Sequence, residues 1–313
     1  MMKYRTLGRT GINVSLASLG TGGPSNLGQR KGLSQLDQTR LIRRALDLGI
    51  NFLDTSVGYG ESESILGRAL EGVPRDNYVL ATKWKYDVEP AVSIQDLVRS
   101  VDQSLHRTRT EFIDVMQFHG VTTKTYCIIL DQFYPVLKSL QSAGKIRYIG
   151  FSEQFVVDPA HQVATLALKR NPELWDTIML KYGILNQYAA REALPLAMRH
   201  NVGIINMAAV RIKLPDPVLL EQLIGEWKDR GEIPTHSVPD IDPLGWLIHD
   251  GVESVISAAY KFAADHPAIT TVLTGTANIE HLEDNVSTLE EPVLPPADKR
   301  LLIDTFGHIA EYA

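Results

Sequence analysis

Eight short apolar runs, each followed by a stretch with helical spacing, constrain the fold of this chain more than any other feature. The runs are LASLG (16–20), INFLDT (50–55), YVLATK (78–83), IDVMQFH (113–119), IRYIGFS (146–152), DTIMLKY (176–182), VGIINMA (202–208) and TTVLTG (270–275). Between them lie amphipathic segments such as LDQTRLIRRALDLG, SIQDLVRSVDQSLHRT and AAREALPLAMRHN, with apolar residues at i, i+3 and i+4. Gly49, Gly72 and Gly144 stand where helix C-caps fall. The runs do not alternate polar with apolar residues, as expected of parallel strands buried on both faces. Eight strand–helix units therefore predict an α/β protein, a (β/α)8 TIM barrel. The competing arrangement, an open doubly wound sheet, normally carries a glycine-rich phosphate turn after its first strand. Here that turn reads GTGGPS (20–25), which lacks the third glycine of GxGxxG, and no GxxxxGK[ST] occurs.

Such barrels run past about 250 residues as one unit, so a single domain over 1–313 is expected. Residues 1–15 read as a β-hairpin turning about Gly11 and capping the barrel. The rhythm breaks after the seventh run, between about 209 and 253, where five prolines segment an enlarged βα loop with a helix expected over VLLEQLIGEWKDRG. In a barrel that loop lies at the C-terminal face, where a lid or binding role is open to it. A net charge of −6 and the absence of any Lys/Arg run argue against a nucleic-acid partner. The one cysteine, Cys127, excludes an internal disulfide framework and is expected in helix packing. The start, MMKYRTLGRTGINV, puts polar residues where a signal peptide needs its apolar core, and no run reaches the ~18 apolar residues of a membrane span. A cytoplasmic protein with no membrane partner, a monomer or simple homo-oligomer, is the expectation.

Polar residues that end barrel strands point into one mouth. Asp54 ends the second run, Tyr59 follows in its loop, Lys83 ends the third run and His119 the fourth. Lys83 follows the apolar YVLAT, and an ammonium there needs a counter-charge, for which Asp54 on the adjacent strand is the natural partner. A phenol, with an ordinary pKa of about 10, serves proton transfer near neutrality only beside a cation, which Lys83 can supply to Tyr59. Gly58 and Gly60 would let the loop bend the ring back over the mouth. His119 could hydrogen-bond a carbonyl or relay a proton. No metal is expected, since Lys83 would repel a cation and neither HxH nor HExxH occurs. Acid–base groups of this kind suit lyase, isomerase or redox chemistry, and their spacing does not choose among them.

GINFLDTSVGYGESESILGRAL, with VLATKW and DVMQFH downstream, closely resembles the aldo-keto reductases, oxidoreductases on this barrel, and the likeness runs from YRTLGRTGINVSLASLGTGG to TTVLTGTANIEHLEDNV. The resemblance implies an NAD(P)-dependent oxidoreductase interconverting carbonyl compounds and alcohols or lactones. Tyr59 is then the general acid, Lys83 its supporting cation, Asp54 the partner of Lys83, and His119 the group that orients the carbonyl. It further implies cofactor contacts from Gly22, and from Ser152 and Glu153, the latter standing where asparagine is usual. Met179 stands where the family commonly has glutamine, and Met207 where a residue stacks on the nicotinamide. Where relatives hold an NADP 2′-phosphate with a Lys-Ser pair and an arginine, this chain has Gly275, Thr276 and His281, which opens NAD(H) beside NADP(H). Asp284 and Asn285 match a pair that contacts adenine. The same segments look most like the branch of aldose and L-galactose dehydrogenases, making small carbonyl compounds or sugars the expected substrates. The alternatives are a non-catalytic, cofactor-binding regulatory subunit on the same barrel and a barrel lyase or isomerase.

Overall fold

The computed structural model of the protein describes residues 1–87 and 92–311. Residues 88–91 and 312–313 of the expected span lie outside the described residues. The chain opens with β1 (Tyr4–Thr6) and β2 (Asn13–Ser15), an antiparallel pair in which Tyr4 faces Ser15. All eight expected runs form strands: β3 (Ala17–Gly20), β4 (Phe52–Asp54), β5 (Val79–Trp84), β6 (Ile113–Val121), β7 (Ile146–Glu153), β8 (Thr177–Lys181), β9 (Gly203–Met207) and β10 (Ile269–Thr274). They pair in parallel as a closed barrel in sequence order, with β10 returning to β3. Helices α1 (Gln35–Asp47), α2 (Ser62–Ala69), α3 (Ile94–Thr108), α4 (Thr123–Ile128), α5 (Tyr134–Ser142), α6 (Gln162–Arg170), α7 (Ala193–Arg199), α8 (Pro217–Asp229), α9 (Val255–Asp265), α10 (Ile279–Glu290) and α11 (Pro296–Phe306) complete the chain.

Capping residues set the helix ends. Ser34 accepts the Asp37 amide at the start of α1, and Ser93 with Asp96 forms a capping box at α3. Gly49 and Gly144, just past α1 and α5, take φ of +89° and +75°, the left-handed conformation a helix C-terminus calls for. Apolar helix faces enter the main core, as those of α1 (Leu41, Ile42, Ala45) and α3 (Leu97, Val101) do. A second apolar cluster fills the barrel itself: Phe52, Val79, Ala81, Val115, Met179 and Ile205 meet Leu7 and Val14 of the hairpin. The hairpin is fixed there by Ser15 N donating to Asn51 Oδ1 at 2.7 Å and Arg5 donating to the Ile269 carbonyl at 2.5 Å. It closes the end of the barrel at which the strands begin, leaving the other end for chemistry.

The excursion after β9 contains the expected helix as α8, started by Pro217 and capped by Asp216. It is a packed layer, not a loose strap: Leu220, Leu223, Ile224, Trp227, Ile233, Leu244 and Leu247 are buried. The Trp227 indole lies 5.9 Å from the Phe306 ring and donates to Glu311 at 2.8 Å. Two expectations need correction. Of the glycines flanking Tyr59, only Gly60 uses positive φ (+61°), because the turn at Gly58 closes through its amide hydrogen bond to Ser56 Oγ. Cys127 is exposed on α4 and not part of helix packing. Among the described residues no helix is long and apolar enough to cross a membrane.

Close helix contact leads to a stability test. A Cβ on Gly67 of α2 would lie 2.2 Å from the Arg107 carbonyl of α3, whereas one on Gly225 of α8 meets nothing within 4 Å. Gly67→Ala is therefore expected to lose about 2 kcal/mol through overpacking. Gly225→Ala should gain about 0.5–1 kcal/mol from helix propensity. Urea unfolding midpoints of both variants check the contrast.

Candidate active site

Side chains on alternate residues of a barrel strand share the interior, so the polar ends of β4, β5 and β6 meet at the mouth. Register places Asp54 beside Ala81 and Lys83 beside Gln117. Lys83 has no exposed surface, and its Nζ donates to Asp54 Oδ2 at 2.5 Å and to the Thr55 carbonyl at 2.7 Å. The ammonium lies 4.9 Å from the centre of the Tyr59 ring. Tyr59 and His119 meet edge to face, with centroids 5.7 Å apart and planes at 86°. The four expected residues therefore form one cluster.

Neighbours hold the tyrosine loop in place. Gln29 donates to the Tyr59 carbonyl at 3.1 Å and accepts the Glu61 amide at 2.9 Å. A Cβ on Gly22 would come within 2.5 Å of the Tyr59 ring, so the backbone at 22 forms the seat of the phenol. Two residues at the cluster escaped the sequence reading. Gln117 donates to Asp54 Oδ1 at 3.4 Å, and Ser56 Oγ lies 3.2 Å from His119 Nδ1. Gln117 was available from strand alternation, being two residues before His119. Ser56 was not, because its inward direction comes from the turn.

Electrostatics follow from burial and pairing. Burial alone would lower the Lys83 pKa, but Asp54 first and Tyr59 second outweigh it, and the pKa stands above the ordinary lysine value. Burial pushes the Asp54 carboxyl up, opposed by Lys83 and Gln117. The attraction between the two favours the ammonium form of Lys83. His119 is driven down to about 3 by burial, then by the Lys83 and Lys85 charges, so the imidazole is neutral at physiological pH.

A cavity of about 960 Å³ opens over this cluster, lined by Asp54, Tyr59 and His119 at its base. Gly22, Ser152, Glu153, Met179, Met207, Gly275, Thr276 and His281 all line it as well. Ser152 Oγ accepts the Gly120 amide at 3.0 Å, which leaves its hydroxyl proton for a bound group. The Glu153 carboxylate is committed elsewhere, to His161 Nδ1 at 2.6 Å and the Ala164 amide at 3.2 Å. Asp284 and Asn285 lie further along α10 and are not among the cavity-lining residues. The segment after β9 contributes Ala208 to Arg211 and Pro215. Arg211 carries a buried Nε without a hydrogen-bond partner.

The model of the Aldo/keto reductase family matches residues 18–302. L-galactose dehydrogenase of Arabidopsis thaliana is 28% identical over 299 residues, spanning 93% of this chain and 89% of that protein. The NADH-specific methylglyoxal reductase of Escherichia coli is 32% identical over 222 residues, 64% of this chain and 65% of that protein. Among solved structures, an aldo-keto reductase of Bacillus halodurans in its holo form superposes with a TM-score of 0.74 at 25% identity, covering 99% of this chain and 98% of that one. An aldo-keto reductase of Klebsiella pneumoniae, solved in complex with NADPH, has the same fold, with a TM-score of 0.72 at 20% identity over 98% and 96% of the two chains.

The neutral histidine has a measurable consequence for stability. Its folded pKa of about 3 lies below the ordinary value of 6.5, so the unfolded chain binds the proton first as pH falls. His119 thus contributes stability that is complete above about pH 6.5 and is lost progressively as pH falls toward 3. Urea unfolding at pH 7.5 and pH 5 should show a drop that is smaller in His119→Gln than in wild type by on the order of 1–2 kcal/mol, since half-buried His266, lowered to about 4, contributes to both. An identical drop in the variant would show that His119 does not titrate in this way.

Proposed function

The chain belongs to the aldo/keto reductase family of oxidoreductases, and from that premise we propose that it moves hydride between a nicotinamide dinucleotide and a carbonyl carbon. The observation that carries the reading is the buried Lys83–Asp54 pair beneath the Tyr59 ring at the base of one large cavity. When bound, the dinucleotide supplies hydride in reduction and accepts it in oxidation. Tyr59 donates its phenolic proton to the carbonyl oxygen in reduction and takes the alcohol proton in oxidation. Lys83 favours the negative charge that develops on the phenolic oxygen, and Asp54 holds Lys83 in place. His119, being neutral, orients the substrate oxygen by a hydrogen bond.

The cavity residues fit such a cofactor. Ser152, Met179 and Met207 line the same cavity as Tyr59, where the family resemblance would set an amide-bearing ring. The orphaned Nε of Arg211 supports a site for the dinucleotide's phosphates. Where the cavity meets the start of α10, Gly275, Thr276 and His281 line its wall, and Asn278 Oδ1 already accepts the Glu280 and His281 amides at 2.7 and 3.3 Å. Those donors are spent on the cap, and neither Gly275 nor Thr276 brings a fixed cation for a 2′-phosphate. We therefore take NAD(H) as the preferred cofactor. The resemblance to L-galactose dehydrogenase supports an aldose, oxidised at its anomeric carbon to a lactone, as the substrate class.

Two experiments test this reading. Fluorescence titration with NADH and NADPH, followed by turnover on a panel of aldoses and small aldehydes, should give kcat/KM at least about tenfold higher with NAD(H); each tenfold step is 1.4 kcal/mol. A preference for NADP(H) would refute the assignment of the α10 end. Tyr59→Phe should keep wild-type NADH affinity and lose at least about 100-fold in kcat. Near-normal turnover in that variant would remove Tyr59 from its role.

A further inference from the structure

Ser56 sits between Tyr59 and the strand that carries Lys83, has no exposed surface, and makes three contacts through one oxygen. Its Oγ accepts the Gly58 amide at 3.2 Å, lies 3.2 Å from His119 Nδ1, and lies 3.4 Å from the Lys83 carbonyl. No other hydrogen bond to either ring nitrogen of His119 is made among the described residues. The hydroxyl has one proton and two places to send it.

Geometry decides between them. The distance to the Lys83 carbonyl is well beyond the 2.5–3.0 Å usual for O–H···O bonds. That carbonyl also already accepts the Val57 amide at 3.4 Å. The imidazole nitrogen is nearer and has no other donor. A proton sent to Nδ1 requires the ring's own proton to reside on Nε2, because a neutral imidazole carries only one.

We propose that Ser56 is a positioning residue that fixes His119 in the Nε2–H tautomer, so that the ring offers a donor, and not a lone pair, to the substrate oxygen. The opposite tautomer would place the Nε2 lone pair against a carbonyl oxygen and repel it. The turn Ser56-Val57-Gly58 thus performs two tasks. Its Ser56–Gly58 bond shapes the approach to Tyr59, and its hydroxyl orients the protonation of the histidine beside that tyrosine. For its catalytic consequence this rests on the hydride-transfer reading above, whereas the tautomer itself does not.

The test is a long-range proton–nitrogen correlation spectrum of protein carrying nitrogen-15 in its histidines, recorded without cofactor and assigned by the signal lost in His119→Gln. The wild-type spectrum should show His119 protonated at Nε2 and bare at Nδ1. In Ser56→Ala the pattern should shift toward a mixture of tautomers. With NAD(H) and a turned-over aldehyde, that variant should lose about tenfold in kcat, the size expected of one hydrogen bond, with the KM for the dinucleotide unchanged. A wild-type ring protonated at Nδ1, or a Ser56→Ala spectrum identical to wild type, would overturn the assignment. If no nicotinamide-dependent turnover is found with any substrate, the spectrum still decides the tautomer and only the proposed reaction fails.

Discussion

The Nζ of Lys83 lies 2.5 Å from Asp54 Oδ2 with no exposed surface on the lysine, and an unpaired ammonium in that position would cost several kcal/mol. The barrel supplies the counter-charge by register, since β4 and β5 are neighbours and Asp54 is level with Ala81, two residues before Lys83 on the same inward face. Removing either charge alone leaves the other buried, a loss of about 3–5 kcal/mol. The rest of the mouth depends on this pair. It holds a positive charge beneath the Tyr59 ring, and that charge also contributes to keeping His119 neutral. A buried ion pair is poor value for stability alone, which fits its placement where a fixed charge has chemical use.

The two ends of the barrel divide the work. At the end where the strands begin, Leu7 and Val14 seal an interior of aliphatic and aromatic side chains. At the other end the inward residues turn polar within a single step of alternation, from Ala81 to Lys83 and from Val115 to Gln117 and His119. The apolar floor excludes water from below, so charges at the mouth interact through low dielectric on one side and face the cavity on the other. The Gly22 backbone and the Gln29 side chain then fix Tyr59, which, unlike Asp54, Lys83 and His119, belongs to no strand.

Much of this was legible in the chain. The eight apolar runs became the eight barrel strands, because a strand buried on both faces has few other ways to satisfy its apolar side chains. Asp54, Lys83 and His119 were legible because strand alternation fixes which residues face inward. Contacts made by turns were not. The hydroxyl of Ser56 and the amide of Gln29 act through loop geometry that periodicity does not encode. Cys127 and Gly58 misled for a related reason, since the outward face of a short helix depends on what packs against it, and the φ of Gly58 on the turn that closes on Ser56 Oγ. Glu153 lines the cavity as expected, while its carboxylate is held by His161 and the start of α6, partners that strand periodicity does not reveal. Asp284 and Asn285 fell outside the cavity lining because α10 carries them beyond His281.

The clamp on the excursion after β9 has a consequence for the order in which the molecule can be assembled. Trp227 of α8 is held by Phe306 and Glu311, which the chain supplies about eighty residues later, and β3 finds its second neighbour only when β10 exists. Contacts this distant in sequence form late, because their loop-closure entropy must be met before they contribute anything. Emerging from the ribosome, the chain would present Asp54, Tyr59, Lys83 and His119 on half a sheet long before the cavity wall from Ala208 to Pro215 or the turn at Gly275 is in place. The reactive cluster therefore comes earlier in the chain than the walls that would hold a dinucleotide over it.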